Sequence, residues 1–392
     1  MRNSVLVLAC LLAACGSSAP AAAPGGDATA QAEVAPTKDA VATPDGAGAP
    51  DTTADVAADP GPLAPTAGEQ EHLNLLRQAR QASAQHGEKL WPGYGLHKLH
   101  LYWVHRLSPS QVRGFLLASG PVPAGAQPVA GQPDLYRLDG PGAELPNSEW
   151  DSAEFLLGEA VAVALVDEKP DLGRPQRSLR RAGNLYFDHL RFFEQTWPPP
   201  PGCGQTNHWS NDVEARALMF AENLALGAAM LADDPTEVIQ RLGDFAQFRA
   251  RTWELDPMIL TMYDAYEQSV AVSRWVTENL AIDLGLQSTA RLRTLITQQV
   301  LRANTAPMAE MTPLMADHSY WVGMALLDCA RRLGWEVAPT YAKGDTVTKL
   351  VLAQQGGFKT DLLAAAKARY DWAALLQRAD ALGPATTPEI TP

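Results

Sequence analysis

Apolar residues recur at helical spacing through most of the second half of the chain, and at strand spacing in a shorter stretch before it. Glu69 to Gly87 predicts a helix, with Leu73, Leu76 and Ala79 one turn apart. Leu99 to His105 (LHLYWVH), Gly114 to Ser119 and Leu135 to Leu138 predict short strands separated by Pro/Gly turns. Glu154 to Val166 (EFLLGEAVAVALV) fits a strand and a buried helix equally, because a short apolar run carries no period that separates them. After Arg177 the pattern is helical almost to the end. Asn211 followed by Glu214 predicts a capping box for a helix running to Ala232, with Val213, Ala217, Ala221, Leu224 and Ala228 as its apolar stripe. Asp256-Pro257 predicts an N-cap with proline at the first helical position, for a helix that runs to Leu284 and stops at Gly285. Ser288, Asp317 or Ser319, and Thr360 open further helices. The class is α+β, a small β-rich N-terminal part followed by a helical majority.

The N-terminus follows a different pattern. Arg2 precedes a short apolar run, Val5 to Leu12, and Leu12-Ala13-Ala14-Cys15 follows at once. The run is too short for a bilayer, which needs about 20 residues, so it predicts a removable export signal. Leu12 to Cys15 resembles a bacterial lipobox. The resemblance implies cleavage before Cys15, lipid attachment on that cysteine, and stable anchoring in a bilayer, since several acyl chains hold where one is marginal. Gly16 after the cysteine, by likeness to other lipoproteins, points to the outer membrane.

From Gly16 to about Gly68 the chain is Ala, Pro, Gly, Asp and Thr, without an aromatic residue. Seven acids (Asp27, Glu33, Asp39, Asp45, Asp51, Asp55, Asp59) stand against Lys38 alone. Such a segment buries too little apolar surface to offset its ordering entropy. It predicts a disordered tether with a reach of roughly 40 Å. The expected layout is signal 1–14, lipidated cysteine and tether 15–68, globular domain 69–383, and disordered tail 384–392. All ten tryptophans lie in the globular stretch, which has no internal repeat. Its length suits one large domain or two closely packed ones. A formal net charge of −13 argues against nucleic acid as a partner, because phosphate binding needs a basic face.

Of four cysteines, Cys10 leaves with the signal and Cys15 takes lipid, so Cys203 and Cys329 remain. Cys203 sits in a Pro/Gly loop and Cys329 in a helical pattern. An exported compartment permits a bridge between them, and two unpaired thiols fit equally, since sequence does not give their separation.

The chain has no H-E-x-x-H, C-x-x-C or G-x-S-x-G motif and no phosphate-cradling glycine loop. His97, His100 and His105 are the clustered histidines. On one strand His97 and His105 would share a face and His100 would point away, an arrangement commoner on half-exposed sheets than at zinc sites.

Several stretches do resemble a largely uncharacterised bacterial group of gluzincin-type metallopeptidases. Leu90-Trp91-Pro92-Gly93-Tyr94 is similar to that group's opening motif. Asp188-His189-Leu190-Arg191-Phe192-Phe193-Glu194-Gln195-Thr196-Trp197-Pro198 stands where the group has H-E-x-F-H-x-x-Q and then tryptophan and proline. Glu214, Leu218 and Glu222, then Phe245 to Arg249, follow in the same order. Glu267 to Trp275 resembles the helix E-x-x-E-G-L-A-x-Y, and Tyr320 to Asp328 with Trp335 resembles Y-x-x-G…L-L-D…W. The resemblance spans most of Leu90 to Ala379 and implies a gluzincin-like helical domain.

It also implies a degenerate metal motif. Zinc hydrolysis of this type needs two histidines one helical turn apart and a carboxylate beside the first. Those places hold Asp188, Phe192 and His189, and the third-ligand position is Val270. A register starting at His189 puts Leu190 and Phe193 at the base and second histidine. The resemblance therefore implies no catalytic residue, no metal and no cofactor, with Phe192 inside the domain and facing the helix of Val270. The reading from this is a membrane-anchored envelope lipoprotein with a non-catalytic, peptidase-like domain for binding a peptide, a glycan or an envelope protein, or a scaffold. The rival is a hydrolase with relocated chemistry, metal-dependent or carboxylate-based, for which Glu214, Glu222 and Glu267 are the acids to inspect, and His208 joins the other histidines as a metal candidate. A purely structural envelope component is the third reading.

Overall fold

A computed structural model of the chain describes residues 64–108, 111–122, 124–138, 152–156, 159–167, 179, 182–183, 186–187, 209–260 and 267–384; for 105–108, 111–112, 152–156, 159–167, 268–269 and 308–317 it describes the backbone alone. These residues belong to one compact unit, Pro62–Pro392. The signal, Cys15, most of the tether and the tail from residue 385 lie outside them.

Helix α1 is Ala67–Leu90. It starts two residues ahead of the expected Glu69, because Thr66 and Glu69 form a reciprocal capping box: Thr66 N donates to Glu69 Oε2 at 2.6 Å and Glu69 N to Thr66 Oγ1 at 3.4 Å. Gly68 thus belongs to the helix and not to the tether. Leu73, Leu76 and Ala79 are fully buried, as their spacing predicts.

A 3-10 turn, Leu96–Lys98, leads into a six-stranded sheet. Its strands are β1 (Leu101–Ser108), β2 (Gln111–Leu117), β3 (Gln127–Pro128), β4 (Leu135–Arg137), β5 (Ser152–Leu156) and β6 (Glu159–Asp167), in the order β3-β4-β2-β1-β6-β5. Strand β1 runs antiparallel to β2 and parallel to β6. The described parts of the ambiguous stretch, 154–156 and 159–166, are therefore extended. Its two strands pair antiparallel with Leu156 opposite Glu159, and β-branched Val161, Val163 and Val166 favour the pleated form. The period of two puts Leu101, Trp103, Phe115, Leu117 and Leu135 in the main core and Tyr102, Val104, Leu116 and Leu138 in a second cluster on the opposite face.

The rest is helical: α2 (Val213–Leu231), α3 (Pro235–Leu255), a π-helical turn (Glu267–Ala271) running into α4 (Val272–Asp283), α5 (Thr289–Arg302), α6 (Met308–Arg332), α7 (Ala338–Ala342), α8 (Val347–Gln354), α9 (Thr360–Lys367) and α10 (Trp372–Leu382). The β-rich N-terminal part and the helical majority make the class α+β. Helix α2 is capped by Asp212 and not by Asn211: the Asp212 carboxylate accepts from Ala215 N at 2.8 Å, and Glu214 takes no part. The expected stripe is also displaced. Val213 is exposed and Leu224 and Ala228 are half-buried, whereas Ala215, Leu218, Phe220 and Leu226 join Ala217 and Ala221 in the core. The cause is position: α2 contacts α3, α5, α6 and α10, so it is buried nearly all round and has no single stripe.

Other boundaries follow their caps. Asp256 Oδ1 accepts from Met258 N at 3.3 Å and opens a helical turn at Pro257. Helix α4 ends at Asp283, with Gly285 at φ 72° just beyond, a value that suits glycine. Ser288 caps α5 through Arg291 N. Helix α6 begins at Met308 after Pro307, about ten residues earlier than Asp317 or Ser319; Pro313 in its second turn conceals that start in the sequence. Thr360 is the first residue of α9, with Lys359 at the cap position.

Candidate functional site

The helix that the resemblance assigns to the third ligand is gripped at two places by glycine. Gly323 of α6 lies so close to the π-helical turn that a Cβ on it would sit 2.4 Å from Ala271 Cβ and 3.1 Å from Glu267 Cα. Six residues beyond Ala271, a Cβ on Gly183 would sit 1.7 Å from Thr277 Oγ1. Gly183 belongs to a buried helical face made by Leu179, Ala182, Gly183, Tyr186 and Phe187, whose spacing follows the helical period. Gly183 therefore packs on α4, while Tyr186 and Phe187 meet the Tyr94 ring at centroid distances of 4.7 and 6.0 Å. Val270 is half-buried on the π-helical turn, where its carbonyl accepts from Ser273 Oγ at 2.9 Å. Thr277 Oγ1 turns back onto Ser273 O at 2.8 Å.

A buried ion pair lies between α2 and α3. Arg249 Nε donates to Glu222 Oε2 at 2.6 Å and Thr252 Oγ1 to Glu222 Oε1 at 2.7 Å, so each carboxylate oxygen has a donor. Thr252 Oγ1 also lies 3.0 Å from Phe248 O, and the Arg249 guanidinium sits 4.8 Å from the Phe245 ring centroid. Both charged side chains are 3 % exposed or less. Burial pushes the Glu222 carboxyl up, while Arg249 and the Thr252 hydrogen bond act against it. His318 of α6 is buried near the same arginine; its Nε2 is 3.2 Å from Val300 O, and burial pushes its pKa down to about 4.

No family model, curated protein or solved structure matches this chain.

Of the acids marked for relocated chemistry, Glu214 is half-buried and paired with Lys367 at 3.0 Å and Arg251 at 3.8 Å, and Glu222 is held by Arg249. Glu267 is buried at the start of the π-helical turn. The histidines go to separate partners. His97 is in the 3-10 turn and not on a strand, its Nδ1 3.4 Å from Ser83 Oγ, and burial pushes its pKa down, with Lys98 and Arg80 adding to the effect. His100 precedes β1, and its Nδ1 accepts from Ser119 N at 3.2 Å. His105 is on β1, and its side chain is outside the described residues, as is His208. Among the described residues no three His, Cys, Asp or Glu side chains converge as a metal site would require. Asp188, His189, Phe192 and Cys203 lie outside the described residues. Cys329 is a buried free thiol, 3.6 Å from Met230 Sδ, with its pKa pushed up to about 12 by burial. No helix among the described residues is long and apolar enough to cross a membrane.

Sequence reasoning missed Gly183, Thr252 and His318, and met Gly323 only as the glycine of the Y-x-x-G resemblance. The two glycines carried a usable signal, since a glycine inside a helical pattern costs about 1 kcal/mol against alanine and marks a packing reason. His318 and Thr252 carried none, because nothing in their neighbours announces burial.

Proposed function

We propose that this chain is a lipid-anchored protein of the bacterial outer membrane whose α+β domain is a non-catalytic relative of gluzincin-type peptidases. It binds a peptide, a glycan or an envelope protein, or serves as a scaffold. The anchor half of the reading rests on Arg2, the apolar run and Leu12-Ala13-Ala14-Cys15. The observation that carries the other half is the use made of Glu222. Both of its oxygens are taken by donors in the core, which is how a structural carboxylate is held. A carboxylate poised for proton transfer needs a free lone pair facing substrate. Glu214 is likewise engaged in ion pairs.

The rival reading, a carboxylate-based hydrolase, draws on Glu267, a buried acid on a π-helical turn, a distortion that recurs at functional sites. Incubation of the purified protein with casein and with a mixed peptide library separates the two. The scaffold reading expects no hydrolysis above a buffer control. Hydrolysis that is abolished in Glu267→Gln and kept in Glu222→Gln would establish the rival instead.

A further inference from the structure

Where the chain enters the domain, its first described residues are held by a buried cation. Arg113 of β2 reaches across to α1, its Nη2 donating to Ala64 O at 2.5 Å and its Nε lying 3.2 Å from Glu69 Oε1. The other Glu69 oxygen accepts from Thr66 N at 2.6 Å. One guanidinium therefore fixes the backbone two residues ahead of the helix cap and the side chain three residues after it. The side chains involved are inside the protein, Arg113 being 7 % and Glu69 1 % exposed. Arg113 in turn lies 5.5 Å from the Phe115 ring centroid, and Arg137 of β4, opposite Phe115 in the register, lies 5.9 Å from the same ring.

Below this point α1 is tied to the rim of the sheet along its length. Gln70 and Gln132 exchange hydrogen bonds, Arg77 forks onto Asp134 at 2.8–3.1 Å, and Arg80 donates to Ala118 O and His97 O. These contacts are partly exposed and individually weak. The Arg113–Glu69 contact joins two buried side chains, and it lies with the part-buried Ala64 hydrogen bond at the end where an N-terminal pull would begin to peel the helix.

We propose that Arg113 is a lock at the entry of the domain. It holds Ala64 and the cap of α1 to β2, so that the first turn of α1 resists local opening. The lock acts on the backbone of Ala64 and does not depend on lipid at Cys15.

Amide hydrogen exchange of the full chain tests it, read over residues 66–73 against α2 and α3, with Arg113→Met and Arg113→Lys. Lysine can approach Glu69 but has no fork to reach Ala64 O as well. Arg113→Met is expected to speed exchange over 66–73 by about tenfold or more while α2 and α3 keep their protection, as a local opening does. Arg113→Lys is expected to fall between it and the wild type, and it alone decides the matter if Arg113→Met does not fold. Unchanged exchange over 66–73, or a rise there that only follows an equal rise in α2 and α3, would overturn the proposal.

Discussion

Replacing Arg249 with methionine removes the cation from a pair buried away from solvent. The two groups meet at 2.6 Å with no more than 3 % of either side chain exposed, so Glu222 would keep its charge, or be forced to take a proton, with Thr252 as the donor left to it. Breaking a buried pair by removing one partner costs about 3–5 kcal/mol. Methionine fills much of the space beside the Phe245 ring, which limits the packing part of the loss. Glu222→Met should cost a similar amount, because it strands the guanidinium. The double variant is the informative one: with both charges gone and the volume kept, it should be no worse than either single, a coupling of about 3 kcal/mol or more across the cycle. Urea titration at pH 7.5, with the slopes of the four proteins shown to agree, measures each step. The reasoning is refuted if Arg249→Met costs less than about 1 kcal/mol, or if the double variant is as unstable as the two singles added together.

Other consequences can be checked in the same way. As pH falls, unfolded His318 takes up a proton from about 6.5 but the folded imidazole resists to about 4. The unfolded state then binds more protons, so stability present above pH 6.5 is lost progressively down to about 4, by about 3 kcal/mol in all. His318→Gln, which keeps a donor for Val300 O, should flatten that part of the stability-against-pH curve, and an unchanged curve would remove His318 from the account. Gly323→Ala and Gly183→Ala each force a methyl group into occupied space and should lower stability by about 1–3 kcal/mol or more, read as a fall in thermal midpoint; an unchanged midpoint would deny the close approach. Cys15→Ser should move the protein from the membrane fraction to the soluble one, and continued membrane partition with the same mass shift would end the lipoprotein reading.

What was legible in the sequence followed from local physics. The Leu73-Leu76-Ala79 spacing, the alternation through Leu101 to Val104, the Ser288 cap and the Gly285 stop all depend on neighbours a few residues away, and each holds in the structure. The errors lie where distant packing decides. The stripe on α2 fails because that helix has neighbours on nearly every side. The start of α6 is hidden by Pro313, which the packed helix tolerates. The run 154–166 was undecidable until its pairing with β1 was known. At the candidate site, the sequence presented Glu214 and Glu222 as equals. The fold separates them, one on a half-exposed face with Lys367 and the other in the core with Arg249. The π-helical turn at Glu267–Ala271 had no sequence signature, and its close neighbour Gly323 lies some fifty residues away in the chain.

We propose that the domain is a non-catalytic relative of gluzincin-type peptidases and holds no catalytic metal. On that proposal Val270 takes the third-ligand position, where its side chain offers no lone pair; Gly323 packs on its π-helical turn and Gly183 on Thr277 of α4. Zinc content of the purified domain, measured together with its melting temperature before and after addition of a chelator, tests this most directly. The account predicts far less than one zinc per chain and no change in melting temperature. Near-stoichiometric zinc, with peptide hydrolysis that stops on chelation, would contradict it.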